Sequence, residues 1–147
     1  MNHDYPLDDI DEPKVTADDV QRRVDDWLCR LDQLFDGIKD WAEQHGWTVS
    51  EGTVPMNEEP MQAVGIRPRG QPVVTLKNQT GAVVYVKPKG LWVIGANGRV
   101  DLYSPKGVFV LVDVAEPFQL PRWILHKVGS GMQKGRSFEP EMIANLV

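Results

Sequence analysis

The sequence predicts an α+β fold, with a long N-terminal amphipathic helix packed on an antiparallel β-meander of about 5–7 strands and a short C-terminal helix. Two observations predict it. Apolar residues recur at heptad spacing over about residues 17–45, which is typical of a helix with one apolar face. After Gly46 the apolar period changes to two, and short β-branched runs alternate with glycine and proline turns, as in an antiparallel sheet.

The chain of 147 residues is the size of one domain. Residues 1–15 are acidic and contain Pro6 and Pro13, so they predict a flexible arm. Residues 16–147 are expected to form one α+β domain, large enough to bury a core without disulfides or bound metals. The single cysteine, Cys29, excludes an internal disulfide, and a reducing cytoplasm is the simplest compartment.

The long helix has a start signal, a stop signal and a periodic stripe. Thr16 is the predicted N-cap, and Asp18 and Asp19 lie in the first turn, where the helix dipole favours negative charge. His45 and Gly46 end the helix. The stripe follows spacings of three and four residues and consists of Val20, Val24, Trp27, Leu31, Leu34, Ile38 and Trp41.

The length of this helix predicts a homodimer. At 1.5 Å per residue the helix is about 43 Å long. A five-residue strand spans only about 17 Å, so the helix is expected to overhang a small sheet. The surplus stripe then needs a second copy of the chain, cover by the rest of the chain, or a break in the helix near Gly37. Of these we expect the second copy.

The strands are predicted from short apolar runs between turn signals. Asn97-Gly98 is the strongest hairpin signal, and Pro-Lys-Gly at 88–90 and again at 105–107 predicts two turns at one end of the sheet. The predicted strands are 47–54, 61–67, 73–77, 82–87, 91–94, 99–103, 107–114 and 122–128, and the predicted C-terminal helix is 139–146.

Hairpin pairing sorts the strand residues into two faces, because side chains alternate along a strand. One face is wholly apolar and should pack on the helix; it carries Val84, Val86, Leu91, Val93, Val100, Leu102, Phe109 and Leu111. Asp113 falls on this face at a strand end, so it lies at the rim or accepts a hydrogen bond. The other face is mixed, and its candidate binding residues are Tyr85, Trp92, Arg99, Asp101 and Tyr103.

The mixed face admits several interpretations. It is too apolar for a solvent face, and it contains Arg99 and Asp101, which are unusual in a core. The sheet could close on itself as a small barrel, or the C-terminal segments could cover it. Alternatively, the face binds another protein, or a ligand or nucleic acid.

Charge is distributed unevenly and suggests a different site. Residues 1–60 hold 16 acidic against 5 basic residues, whereas residues 61–147 hold 5 acidic against 11 basic residues. The basic half could bind nucleic acid or another anion. The candidate anion-binding residues are Lys87, Lys89, Lys106, Lys134 and Arg136. Neutralisation of the basic sheet by the acidic helix explains the same pattern and is favoured over nucleic acid.

The sequence contains no pattern that names a reaction. Its three histidines are far apart, and it has no CxxC, HxxxH or GxSxG pattern, so we expect no enzyme, no metal and no cofactor. No apolar run reaches the ~18 residues of a membrane span. The leading hypothesis is a non-enzymatic, homodimeric protein-interaction module of accessory or neutralising type. Anion binding through the basic half is the alternative.

Overall fold

The structure is a computed structural model that describes residues 15–129 and 135–147. Most of the predicted acidic arm, residues 1–14, and the candidate anion-binding residue Lys134 lie outside the described residues. In the described part of the chain, no helix combines the length and apolar character needed to cross a membrane.

The fold is α+β, as predicted, with one long helix on a seven-stranded antiparallel sheet. The strands follow one another in chain order across the sheet, so the sheet is an uninterrupted meander. The elements are α1 (Ala17–Gln44), β1 (Thr48–Met56), α2 (Glu59–Ala63), β2 (Arg69–Lys77), β3 (Val83–Val93), β4 (Ala96–Ser104), β5 (Gly107–Asp113), β6 (Trp123–Lys127), β7 (Arg136–Ser137) and a C-terminal 3-10 helix (Pro140–Leu146).

The predicted start of α1 is confirmed. The hydroxyl of Thr16 accepts from the N–H of Asp19, and the carboxylate of Asp19 accepts from the N–H of Thr16, which completes a capping box. The stripe is buried in the core from Val20 to Ile38, while Trp41 is half-buried and packs on Trp47.

The expected overhang of α1 does not leave its stripe exposed, because the stripe residues from Val20 to Ile38 are at most 8% exposed within the single chain. β3 has 11 residues, and seven strands at about 4.8 Å spacing extend about 29 Å across. Trp27 donates to Gln71 of β2 and its ring lies 6.1 Å from that of Trp123 on β6. Because the chain's own sheet buries the stripe, a homodimer would have to use a different surface.

The turn between β3 and β4 lies at Ile94 and Gly95, and not at the predicted Asn97-Gly98. Residues 82–87 and 91–94 form one strand, and the chain reverses at Ile94 and Gly95 because Val93 pairs with Ala96. Pro-Lys-Gly at 88–90 is therefore a β-bulge inside β3 rather than a turn. Of the two Pro-Lys-Gly segments, the one at 105–107 forms the predicted turn and the one at 88–90 does not.

The second predicted strand is also wrong. Residues 59–63 form the short helix α2, which begins with Pro60 in its first turn and buries Met61 in the core. The carboxylate of Glu58, just before α2, accepts from the consecutive N–H groups of Leu91 and Trp92 at 2.9 and 3.2 Å. This contact fixes α2 against the irregular part of β3.

The core lies between α1 and one face of the sheet, which we call the covered face. Its central residues are at most 1% exposed and are Val74, Leu76, Val84, Val86, Val100, Leu102 and Leu111. α2 and the 3-10 helix contribute Met61, Ile143 and Leu146 to the same cluster. The apolar face that pairing predicted for β3, β4 and β5 is therefore the one that packs on the helix.

Asp113 joins α1 to the loop after β5. Its carboxylate accepts from Arg30 of α1 at 2.6 Å and from the N–H groups of Ala115 and Arg122 at 3.0 and 2.9 Å. Arg30 also donates to the carbonyls of Glu116 and Gln119. The hydrogen-bond acceptor role predicted for Asp113 is confirmed, and the pair holds residues 114–122 against the helix.

Candidate functional site

The second face of the sheet, which we call the open face, is a continuous surface across β2 to β6. The register places Tyr85 opposite Tyr103, and Asp101 opposite Lys87 and Val110. Cross-strand neighbours share a face, so the pairings define the surface. The open face consists of Thr75, Lys77, Val83, Tyr85, Lys87, Arg99, Asp101, Tyr103, Val108, Val110, Val112, Ile124 and His126.

Four of the five predicted binding residues come together on the open face. The rings of Tyr85 and Tyr103 stack with centroids 6.2 Å apart. Arg99 Nε donates to Asp101 Oδ1 at 2.7 Å, and the Tyr103 hydroxyl lies 3.4 Å from Asp101 Oδ2. Burial, followed by the negative charge of Asp101, raises the pKa of Tyr103. Tyr103 therefore stays a neutral hydroxyl that donates to the carboxylate.

This polar group is embedded in partly exposed apolar side chains. Val83 is 40% exposed and Tyr103 is 43% exposed, while Val108, Val110 and Val112 are half-buried. The three described helices all pack into the core on the opposite face. At the β6 edge, the backbone of Gly135 lies against Ile124 and His126, so returning chain covers that margin. The centre of the sheet remains accessible in the described structure.

Trp92 does not belong to this group, contrary to the prediction. Trp92 pairs with Asn97 at the end of the β3–β4 hairpin, beyond the bulge between Pro88 and Gly90. Trp92 instead packs at the margin of the core beside α1, where the guanidinium of Arg23 lies 5.9 Å from its ring.

The predicted anion-binding residues are separated. Lys87 and Lys89 lie within β3, while Lys106 lies in the turn between β4 and β5. There the Lys106 ammonium donates to the carbonyl of Asn145 at 2.9 Å, so it ties the 3-10 helix to the sheet. Arg136 lies at the other edge, on β7. The shared turn that was predicted to gather the lysines does not exist.

Metal ions in proteins are held by clusters of His, Cys, Asp or Glu side chains. Within residues 15–129 and 135–147, no group of three or more His, Cys, Asp or Glu side chains could hold a metal ion. Cys29 is a free thiol on the exposed side of α1.

The sequence reasoning missed a second surface, a groove at the start of α1. It is formed by α1, α2 and the loop after β5, and it encloses about 530 Å³. Phe118 in that loop has a φ of 68° and is 48% exposed, which is unusual for an aromatic residue. The only sequence signal was Pro117-Phe118 in a turn-rich segment, and that signal did not show which elements meet there.

Comparisons with known proteins add no relationship: no family model, no curated protein and no solved structure matches this chain.

Proposed function

We propose that this protein is a non-enzymatic interaction module that binds an acidic protein partner through the open face. The observation that supports it is a sheet with one face buried by helices and the other left partly exposed, although that other face is rich in valine and tyrosine. Exposed apolar surface of this kind marks interaction sites in soluble proteins. Tyrosine and arginine are also the side chains that dominate protein interfaces.

Charge selects the class of partner. Lys87 and Arg99 lie on the open face, and Asp101 is already paired with Arg99. The surface therefore has a positive surplus, which favours acidic groups on the partner. The exposed side of α1 carries mostly acidic residues, among them Asp25, Asp32, Asp36 and Asp40. The two sides of the molecule thus present opposite charge.

A second copy of the chain is less suitable as the partner. A two-fold dimer through the open face would bring two surfaces with the same positive surplus together, since both copies contribute the same patch. Like charges brought together cost free energy. The homodimer that the sequence predicted through the helix stripe would have to expose the core. We therefore propose a different, acidic protein, bound in the cytoplasm.

The anion-binding alternative has less support, because Lys87, Lys89 and Lys106 do not converge. For nucleic acid the face offers one aromatic pair, Tyr85 and Tyr103, whose rings lie 6.2 Å apart, and no row of rings on which successive bases could stack.

Comparative capture tests the proposal. The tagged protein, an open-face variant (Lys87→Glu with Tyr103→Ala) and a helix-face control (Asp32→Ala) are incubated with nuclease-treated extract of the source cells. We expect an acidic protein that the wild type and the control retain and the open-face variant loses. The purified partner should then bind the wild type at least tenfold more tightly than the open-face variant, as two central interface contacts are removed. Identical capture by all three proteins, or loss after nuclease treatment alone, contradicts the proposal.

A further inference from the structure

The groove at the start of α1 combines an apolar wall with two arginines. Phe118 and Trp92 supply aromatic surface, Arg22 lies 4.7 Å from the Phe118 ring, and Arg23 lies 5.9 Å from the Trp92 ring. The full lining is Val15, Asp19, Val20, Arg22, Arg23, Pro60, Trp92, Pro117 and Phe118. Such a combination fits a ligand that has both apolar side chains and carboxylates.

Both aromatic walls are fixed in place. The carboxylate of Glu58 holds the backbone of Trp92 through the hydrogen bond at 3.2 Å. The N–H of Phe118 donates to Asp26 of α1 at 3.3 Å, and the loop that carries it is anchored by Arg30 and Asp113. Phe118 is thereby kept in a left-handed backbone conformation that costs free energy in a bulky residue. Its ring is 48% exposed on a loop that these hydrogen bonds hold against α1.

The floor of the groove has hydrogen-bond donors that lack acceptors. Arg23 Nη2 donates to Asn97 Oδ1 at 3.1 Å, but Arg23 Nε and Asn97 Nδ2 are buried and find no partner in the described residues. A polar cavity of about 220 Å³ adjoins the groove and is lined by both residues. Burial is the main cause that lowers the pKa of Arg23. A carbonyl or carboxylate oxygen entering here would satisfy donors that otherwise remain unpaired.

We propose that the groove is a docking site for the chain's own N-terminal arm, residues 1–14, bound as an extended acidic segment. The arm enters the argument through its position, because Val15 is the residue that follows it and already lines the groove. Eight extended residues reach about 26 Å, so the segment from residue 7 onward can turn back along the groove. Tethering gives the arm an effective concentration in the millimolar range, which favours it over a free ligand of equal affinity.

The composition of the arm matches the groove. Residues 1–14 contain five acidic residues and one lysine, interleaved with Tyr5, Leu7 and Ile10. Leu7 and Ile10 would fill the apolar part, while the carboxylates of Asp8 or Asp9 would reach Arg22 and Arg23. Asp19 lies in the groove lining, but its carboxylate is occupied by the capping box at Thr16. Docking would thus also cover the exposed ring of Phe118.

The test compares full-length proteins by NMR, with the Trp92 indole signal assigned through Trp92→Phe. One variant changes the arm (Leu7→Asn with Ile10→Asn), and a matched control changes two other arm residues (Asn2→Ala with His3→Ala). We expect the Trp92 indole signal to shift in the first variant and to remain in place in the control. Trp47 packs on Trp41 at the far end of α1, so its indole signal should not move in either protein.

A reciprocal variant tests the groove from its other side. Phe118→Gly removes the ring and suits the left-handed backbone, so it should leave the fold intact. We expect the methyl signals of Leu7 and Ile10 to move to the positions of a free peptide. The same substitution at Leu120, which is 85% exposed in the same loop, should leave these signals unchanged.

Several results would overturn the proposal. Unchanged Trp92 signals in the arm variant mean that the arm does not occupy the groove. Shifts at Tyr85 or Tyr103 in place of Trp92 move the arm to the open face. A Trp92 shift that depends on protein concentration, together with a dimer mass in light scattering, assigns the arm in the groove to a second copy and removes the intramolecular contact.

Discussion

Each face of this sheet has an Arg–Asp pair with a buried carboxylate, and the surroundings of the two pairs differ. On the covered face, Arg30 and Asp113 are 3% and 0% exposed, and further hydrogen bonds satisfy the carboxylate. On the open face, the side chain of Arg99 is 36% exposed and that of Asp101 is 7% exposed. The same chemical pair thus serves as a buried joint on one side and as part of an accessible surface on the other.

This difference indicates a structural role for the first pair and a surface role for the second. A buried charge pair adds little net stability, but removal of one partner is costly because the other charge stays desolvated. Arg30 and Asp113 therefore specify the position of the loop at residues 114–122 relative to α1. Arg99 keeps contact with water, so it can exchange partners at low cost. An arginine that can exchange partners suits a binding surface, whereas a loop is held in place by a pair that cannot.

The largest expected effect comes from breaking the buried pair. Arg30→Met leaves Asp113 without its charged partner at full burial, so we expect a loss of about 3–5 kcal/mol in the free energy of unfolding. Arg99→Met, the matched change on the open face, should cost about 1 kcal/mol because the pair is partly solvated. Urea denaturation followed by circular dichroism measures both values. Equal losses would mean that Asp101 is as desolvated as Asp113 and that the second face is covered after all.

The apolar side chains of the two faces should differ in the same direction. Leu102→Ala on the covered face opens a cavity against α1, and we expect a loss of about 2–5 kcal/mol. Val110→Ala on the open face removes a half-buried side chain and should cost less than about 1.5 kcal/mol. Chemical denaturation of the two variants compares them directly. A Val110→Ala loss as large as that of Leu102→Ala would contradict an accessible open face.

A smaller effect separates close packing from turn geometry in the β3–β4 hairpin. Gly98 has a φ of 102° and its backbone lies against the ring of Trp27, so a methyl group there would overlap the indole. Gly98→Ala should cost about 2–4 kcal/mol through overpacking and backbone strain together. Gly95 has a φ of 82° but open space around it, so Gly95→Ala should cost only the strain, about 1–2 kcal/mol. Thermal unfolding of the two variants tests which one loses more stability. Equal losses would show that the ring of Trp27 moves aside freely.

Much of the fold could be predicted from the sequence because local signals and burial agree there. The heptad spacing gave α1, and the capping residues gave its first turn. Period-two alternation assigned Val84, Val86 and Leu102 to the buried face. These predictions rest on interactions within one element or between adjacent strands.

The hairpin was misplaced because tertiary contacts override its local signal. Asn97-Gly98 is a strong turn sequence. However, the side chain of Asn97 accepts a hydrogen bond from Arg23, and the backbone of Gly98 lies against the ring of Trp27. Both residues contact the helix, and the reversal occurs three residues earlier, at Ile94 and Gly95. Contacts of this kind join residues some 70 positions apart, and no local pattern contains them.

The smallest expected effect concerns the ionisation of Tyr103. Burial and the charge of Asp101 raise its pKa in the folded state, which means that the phenolate is disfavoured there relative to the unfolded chain. The corresponding stabilisation is complete below the ordinary tyrosine pKa of about 10 and is lost as the pH rises from that value through the folded pKa. Asp101→Asn removes the nearby negative charge but leaves the burial, so the pKa of Tyr103 should fall part of the way to its ordinary value. A pH titration of ring-labelled tyrosine by NMR measures the change, with Asp32→Asn on α1 as the control that should leave the pKa of Tyr103 unmoved. If Asp101→Asn also left it unmoved, the carboxylate would not be coupled to Tyr103, and the open face would lose the polar group that distinguishes it from the covered face.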